Sequence, residues 1–440
     1  MGRIWINSDR SDRWQFELIK PVTEFEELYS PMSTFSQISS LTGLIDLQRE
    51  CTLVSPFVAE VDPGSIGVDQ VASRTRIQGH FGALIDKAAI SDMQAPSIAG
   101  LSFVSDSFSA WFNRIDRSPN IDSPQPLLNT HDECEFTIEG FGKITCGSAV
   151  GRRLSTWEDS QNSYSYFHMD FCERLSLTET MQICFELECL FQFLIGFSTK
   201  WPVFSIKRSK RFEINGHEQN CTCDLIFGRT PSKKSERPHP HESIHNNGRC
   251  QADITEILKR YVKNRKKLSK QIQAVRYSRH FCNSLQDRFS ATLPVLEELI
   301  NAIYAEPDES TYVDDKQRFI EFIESSNDPS IREFLRKHIK VVEEKSPSLK
   351  LLIERAIFSL NQDGCKFSKN LAVRIRNRRA KLFHRSFDVI DKDDGIKLQA
   401  ETIFIEAMLA LHIYRDLGIE LAELERRVGH MGLNLFLPET

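Results

Sequence analysis

At 440 residues, 40% of them hydrophobic, the chain exceeds what one ordinary core holds, so two or three domains are expected. The opening MGRIWINSDRSDRW is polar, and the most apolar long segment, Met181 to Phe197, is interrupted by Gln182, Glu186, Glu188 and Gln192; a secretion signal or membrane span is therefore not expected, and a cytoplasmic protein is. Against a net charge of −5 any local excess of Lys and Arg is informative, and eleven cysteines without a paired framework are expected as free, mostly buried thiols.

From residue 1 to about 175, apolar and polar residues alternate as strands require. The predicted strand regions are Trp14 to Ile19, Leu41 to Val54, Arg74 to Gly82, Ile98 to Phe103, Glu135 to Cys146 and Ser163 to Phe171, punctuated by Gly, Pro, Asp and Ser. FTIEGFGKITC, with Gly140 and Gly142, predicts a hairpin. Ser176 to Glu179 is a capping box ahead of an apolar run ending near Gly196, which predicts a helix. Alternation returns over Val203 to Phe227, with Asn215-Gly216 as a tight turn. Gly228 to Arg249 is polar, rich in Pro and His and aperiodic, and is expected as an exposed loop near a domain boundary. Beyond Asp253, helical spacing takes over in Ile254 to Arg276, Leu293 to Tyr304, Lys316 to Glu324, Ile331 to Val342, Leu349 to Leu360, Phe367 to His384 and Ile396 to Asp416. Asp328-Pro329-Ser330, the stretch Asp391 to Gly395, and Gly418 supply the breaks. The expected fold class is α+β and multidomain, with a β-rich sensor or regulatory domain over 1–250 and a helical bundle over 251–440.

The highest positive charge density lies in Leu371 to Arg385, LAVRIRNRRAKLFHR, where Arg374, Arg376, Arg378, Arg379, Lys381 and Arg385 occur with no acid between Lys366 and Arg385. A cationic helix face on an acidic protein is what a phosphate-rich ligand needs to find its site. Asp253 to His280 carries nine Lys or Arg against two acids, so a second basic strip, including Lys266 and Lys267, is available to converge on the first, with a solvated helix face as the plainer alternative. Within the first stretch, Arg379 and His384 make Arg-x4-His. Metal-free RNA cleavage needs a group of near-neutral pKa for proton transfer and a fixed cation for the pentavalent phosphate, and these two residue types provide them.

The motif resembles the Rx4-6H signature of the HEPN ribonucleases, in which the histidine serves acid/base chemistry and the arginine stabilises charge at the scissile phosphate. That family usually carries a polar residue directly after the motif arginine; here Ala380 stands there, and Asn377 follows Arg376. Arg378 to His384 also fits the looser spacing, so the motif arginine is Arg379 by preference and Arg378 by alternative. The order FSATLPVLEELINAIYAE, RRAKLFH, TIFIEAMLALHIYRDLGI is similar to the ApeA-type HEPN domain. LTGLIDLQRECTLV, RIQGHF, FSAWF and LIGFSTKWP are similar, less specifically, to the ApeA N-terminal domain. The resemblance implies an all-α HEPN bundle as the C-terminal domain, an antiphage abortive-infection role and a homodimer in which two motifs face each other. It also implies an RNA substrate, tRNA among the candidates, contacted by Arg376, Asn377, Arg378, Lys381, Arg385, Lys266 and Lys267, and a phage component as trigger. The products would carry 2′,3′-cyclic phosphate and 5′-hydroxyl ends, and DNA would be refused for want of the 2′-hydroxyl.

No metal or cofactor is expected. Cys221-Thr-Cys223 with His217, His239, His241, His245 and Cys250 offers zinc-type ligands, but no second closely spaced cysteine pair closes the set. DKDDG at Asp391 lacks the glycine and glutamate of a calcium loop and is expected as plain loop. Two rival readings belong to other classes: a catalytically inactive RNA- or protein-binding module, which Ala380 favours, and a basic DNA-binding regulator, which lacks a helix-turn-helix.

Overall fold

In the computed structural model, structure is described for residues 2–5, 15–21, 40–45, 49–54, 57–62, 74–80, 83–112, 134–155, 158–227, 243–245, 253–305, 321–339, 347–384, 392–424 and 436, apart from isolated positions within these ranges. The chain divides into two compact units, Met1–Arg265 and Lys266–Thr440.

The first unit holds thirteen described strands: β1 (Gly2–Trp5), β2 (Gln15–Pro21), β3 (Ser40–Ile45), β4 (Arg49–Val54), β5 (Phe57–Asp62), β6 (Arg74–His80), β7 (Ala83–Asp86), β8 (Ile98–Val104), β9 (Cys134–Ile138), β10 (Gly142–Ser155), β11 (Glu158–Leu175), β12 (Phe204–Ile214) and β13 (His217–Phe227). They form a four-stranded sheet, β1-β2-β6-β5, and a nine-stranded sheet, β3-β4-β7-β13-β12-β8-β11-β10-β9. Every described pairing is antiparallel. The two hairpins expected from glycine signals are present. Ile214 opposes His217 at the near end of the β12–β13 pair; Asn215 and Gly216, the turn expected between them, lie outside the described residues. Ile138 opposes Gly142 around Gly140, whose φ of 71° is a conformation glycine adopts without a Cβ clash.

Three helices among the described residues belong to this unit: α1 (Asp106–Phe112), α2 (Leu177–Ile195) and α3 (Ile254–Lys263). The capping box is realised in full, with Ser176 and Glu179 each bonding the other's backbone N–H, and Gly196 closes α2 in the left-handed region. A Cβ on Gly196 would stand 2.3 Å from Ile244 Cδ1, so packing as well as φ demands glycine there. α1 escapes the strand pattern because Ser105 accepts the Phe108 N–H as an N-cap, with Asp106 in the first turn. Its rings complete an aromatic core: Phe108 lies 4.9 Å from Phe191 of α2, and Phe103 lies 5.1 Å from Phe167 and 5.0 Å from Phe204.

The second unit contains α4, which begins at the unit boundary (Arg265–His280), α5 (Leu285–Tyr304), α6 (Pro329–Ile339), α7 (Leu349–Gln362), α8 (Asn370–His384) and α9 (Lys392–Asp416). The hub is α9, packed on α5 and α8 and buried from Thr402 to Tyr414 with only Ile403 less covered. Its polar residues face neighbours: Glu401 meets Arg374 and Arg378 of α8; Glu406 accepts from Ser278 and pairs with Arg279 of α4 and Arg288 of α5; Arg415 bonds Ser359, Asp363 and Tyr304.

The expected fold class, a β-rich domain followed by an all-α HEPN bundle, is corrected by this architecture. The chain is a mixed α+β protein, with one large antiparallel sheet carrying its own buried helix layer in the N-terminal half and helices in the C-terminal half. Sheet alternation hid α1, since an N-cap serine before seven residues looks the same as a strand end, and α3 joins the sheet-bearing unit through contact with β9. Two local expectations are also corrected. Of the loop expected over Asp391 to Gly395, Lys392 to Gly395 are helical: α9 starts at Lys392, and Asp393 and Asp394 favour its N-terminal turn, while Asp391 lies outside the described residues. Within the loop expected over Gly228 to Arg249, Ser243, Ile244 and His245 are fully buried, because the backbone N–H groups of Ile244 and His245 donate to the last carbonyls of α2.

Candidate functional site

α8 forms because Leu371, Ala372, Ile375 and Arg378 recur at helical spacing, and Ala372 and Ile375 are fully buried. Its cations are not one patch. Arg374 Nε lies 3.1 Å from Glu401 Oε1, and Arg378 is sunk to 7% exposure with Nε 2.8 Å from Glu401 Oε2 and Nη1 and Nη2 2.6 and 2.8 Å from the two oxygens of Asp394. The Asp394 carboxylate, with Glu401, holds the Arg378 guanidinium charged well above its ordinary range, and Arg378 in turn holds the Asp394 carboxyl low. Arg378 is a structural fork, saturated at every prong.

Arg379 is different. It is 46% exposed, and its Nε lies 2.5 Å from Glu297 Oε1 while Nη2 lies 3.1 Å from Oε2. Both prongs thus grip one partly exposed carboxylate on α5, in the two-oxygen arrangement that a phosphate also offers. Next to it Arg376 is exposed, its guanidinium 3.2 and 2.9 Å from Oδ1 of Asn377, and Lys381 is exposed as well.

His384 is the last residue of α8; its side chain, like those of Leu382 and Phe383, lies outside the described residues, as does Arg385. On an unbroken helix, positions 379 and 384 stand about 140° apart around the axis and about 7.5 Å along it. The sequence therefore brings the motif pair onto one helix end without placing both positions on one face.

On α4, Lys266 is exposed, and Lys267 Nζ lies 2.7 Å from Asp416 Oδ2. Asp416 ends α9, whereas Glu401 and Asp394, which hold the α8 arginines, precede it by fifteen and twenty-two residues, or about 22 and 33 Å of helix. The second strip meets α9 at Asp416 through Lys267 and at Glu406 through Arg279, and the first meets it at Asp394 and Glu401, so the two are strung along the helix in sequence.

Glu297, Asp394 and Glu401 were not singled out by motif reasoning. One signal was present: Glu401 and Glu406 sit within an otherwise apolar helical run, where a charge requires a partner.

Of the zinc-type residues, Cys221 and Cys223 lie on β13 and burial pushes the Cys223 thiol up to about 11. His245 is fully buried and accepts the Trp111 Nε1–H at 2.8 Å on Nδ1; His239, His241 and Cys250 lie outside the described residues. No group of three metal-binding side chains occurs among the described residues.

Among the described residues of the first unit, an open groove is lined on β8, β10, β11 and β12 by Ser102, Thr145, Tyr166, His168 and Ser205, with Val203 and Val104 at its rim. Beside it His168 Nε2 lies 3.2 Å and Lys207 Nζ 2.7 Å from the two oxygens of Asp170. Partial burial opposes ionisation of Asp170, but the Lys207 hydrogen bond and the His168 charge hold its carboxyl below the usual range, which suits a fixed anion and not a general base. No described helix is long and apolar enough to cross a membrane. Comparison with family models, with curated proteins and with solved structures finds no match to this chain.

Proposed function

We propose that the protein is a metal-independent endoribonuclease of the cytoplasm, acting in abortive infection as its resemblance to ApeA-like proteins implies, with Arg379 and His384 as catalytic residues. The observation that carries the reading is the Arg379 fork, which stands outside the buried ion network of α8 and holds a carboxylate where a phosphate fits. His384 removes the 2′-hydroxyl proton or supplies one to the departing 5′-oxygen, and Arg379 balances the charge that develops on the phosphorane. The angular separation of positions 379 and 384 on one helix favours a homodimer, in which a second copy of α8 supplies the group that one helix face lacks. Arg376, Asn377 and Lys381, with Arg385 beyond them, line the approach for the RNA backbone, tRNA included. A phage component is the proposed trigger, acting through the first unit.

The test is cleavage of total bacterial RNA by the purified chain in excess EDTA, with and without lysate from infected cells. Cutting is expected to persist and to leave 2′,3′-cyclic phosphate or 3′-phosphate ends. Arg379→Ala is expected to lose activity by about a hundredfold or more, the usual cost of one transition-state charge stabiliser. Activity restored only by magnesium, or 3′-hydroxyl ends, would overturn the mechanism. The ion pair of Arg379 with Glu297 also suits the rival reading, a binding module without catalysis; phage protection undiminished by His384→Ala would select it.

A further inference from the structure

β9 and β10 bring two cysteines face to face. Cys134 and Cys146 are directly opposed in the antiparallel register, and their sulfurs are 3.0 Å apart. Opposed residues in such a pair have Cα atoms about 4.5 or 5.5 Å apart, inside the roughly 4.4–6.8 Å that a disulfide spans, so bonding needs no movement of the backbone. The two thiols differ in access: Cys134 is partly exposed on the edge strand of the nine-stranded sheet, and Cys146 is fully buried one strand in. We propose that Cys134 and Cys146 are a reversible thiol–disulfide site, in which Cys134 receives a low-molecular-weight disulfide and Cys146 resolves it into a cross-strand bond that staples the sheet edge.

The contact also differentiates the two as nucleophiles. The hydrogen bond from the Cys146 thiol holds the Cys134 thiol below its ordinary range, against burial and the Asp253 charge. The same contact, followed by burial, pushes the Cys146 thiol far up, so the outer sulfur is the more readily ionised of the pair. In the first step the Cys134 thiolate attacks one sulfur of RSSR, forming a mixed disulfide and expelling RS⁻. That removes the negative neighbour that kept Cys146 protonated. Cys146 then gives up its proton and attacks Cys134 Sγ; the Cys134–Cys146 bond forms, the mixed disulfide breaks and a second RS⁻ leaves. Two electrons pass from the protein to RSSR, and the two thiol protons end on two RSH. The bond joins β9 to β10 near Asp253, the N-cap of α3, and α3 itself packs on β9.

The experiment equilibrates the full-length chain in glutathione buffers of stepped ratio, followed by acid quench, alkylation and tryptic mapping. Cleavage after Lys143 puts the two cysteines on separate peptides, so their bond appears as a cross-linked pair. The oxidised fraction is expected to rise from about a tenth to about nine tenths over a roughly hundredfold change in the ratio of glutathione disulfide to the square of glutathione. Cys172→Ser, at an exposed cysteine, is expected to leave the link unchanged, and Cys134→Ser to abolish it and leave Cys146 unmodified. The wild-type map decides the matter even if a variant folds poorly. A stable glutathione adduct on Cys134 that never resolves, a link from Cys134 to any other cysteine, or two thiols still reduced at the most oxidising ratio overturns the proposal.

Discussion

Arg378 and Arg379 are neighbours in sequence and opposites in environment, and that contrast decides which of them is available for chemistry. Removing Arg378 leaves Glu401 and Asp394 without their shared counter-charge, so Arg378→Ala is expected to destabilise the second unit by about 3–5 kcal/mol, read by chemical denaturation. Arg379→Ala is expected to cost less than about 1 kcal/mol, because the Glu297 pair is solvent-screened, while removing RNA cleavage. Glu297→Gln is expected to free the Arg379 fork and tighten RNA binding several-fold in a filter or anisotropy titration; unchanged affinity would show that Arg379 is not a phosphate contact. In the first unit, Glu188 is fully buried. Ser107, Gln192 and Thr199 all donate to its Oε1, at 2.8, 2.8 and 3.1 Å. Burial, which these bonds only partly offset, pushes its carboxyl up to about 7. A carboxyl raised in the folded state binds a proton that the unfolded chain has already released, so its contribution is full below the unfolded value and lost as pH climbs to about 7. Glu188→Gln is therefore expected to raise the melting temperature at pH 8 and to change it little at pH 5, by differential scanning calorimetry. His245, lowered by burial to about 4, runs the other way, losing stability as pH falls from the ordinary histidine range to about 4, and the variant should reveal that slope by itself.

Elements with a local signal were legible in the sequence, and those held by distant partners were not. The α2 capping box, the Asn215-Gly216 hairpin and the Gly140 turn all write their geometry into four or five adjacent residues. α1 and the start of α9 do not. The first depends on Ser105 and on a cluster of rings from α2, β8 and β11; the second is fixed by Asp394 meeting Arg378 sixteen positions earlier. The same division holds at the site. The Arg-x4-His spacing and the exposed Lys266 are visible in one dimension, but which arginine is saturated rests on two acids of α9, and which is held at the surface rests on Glu297 of α5. Residues 243–245 were hidden for a like reason, since a polar, proline-rich setting does not announce that three of its members close the end of a helix.

Across the second unit the basic residues sort into a buried class and an exposed class, and only the exposed class can meet a polyanion. Lys266, Lys267, Arg376 and Lys381 are exposed, Lys267 on its pair with Asp416. If both strips track an RNA backbone, Lys266→Glu with Lys267→Glu should flatten the log–log salt dependence of binding by roughly 0.7 per lost phosphate contact. An unchanged slope would return α4 to a solvated face. Lys267 pairs with the last residue of α9 and the α8 arginines with its first ten, so a strand meeting both Lys267 and α8 would have to run along that helix.

The stapling of α9 also imposes an order in time. A ribosome delivers Arg279, Arg288, Arg374 and Arg378 before Glu401 and Glu406, so these four arginines emerge ahead of the acids that pair with them. Until α9 has been made, these arginines have no partner on that helix, and the core that α5 and α8 build against it cannot close. The helix is thus a keystone: its synthesis brings the apolar seam and the missing counter-charges in one piece.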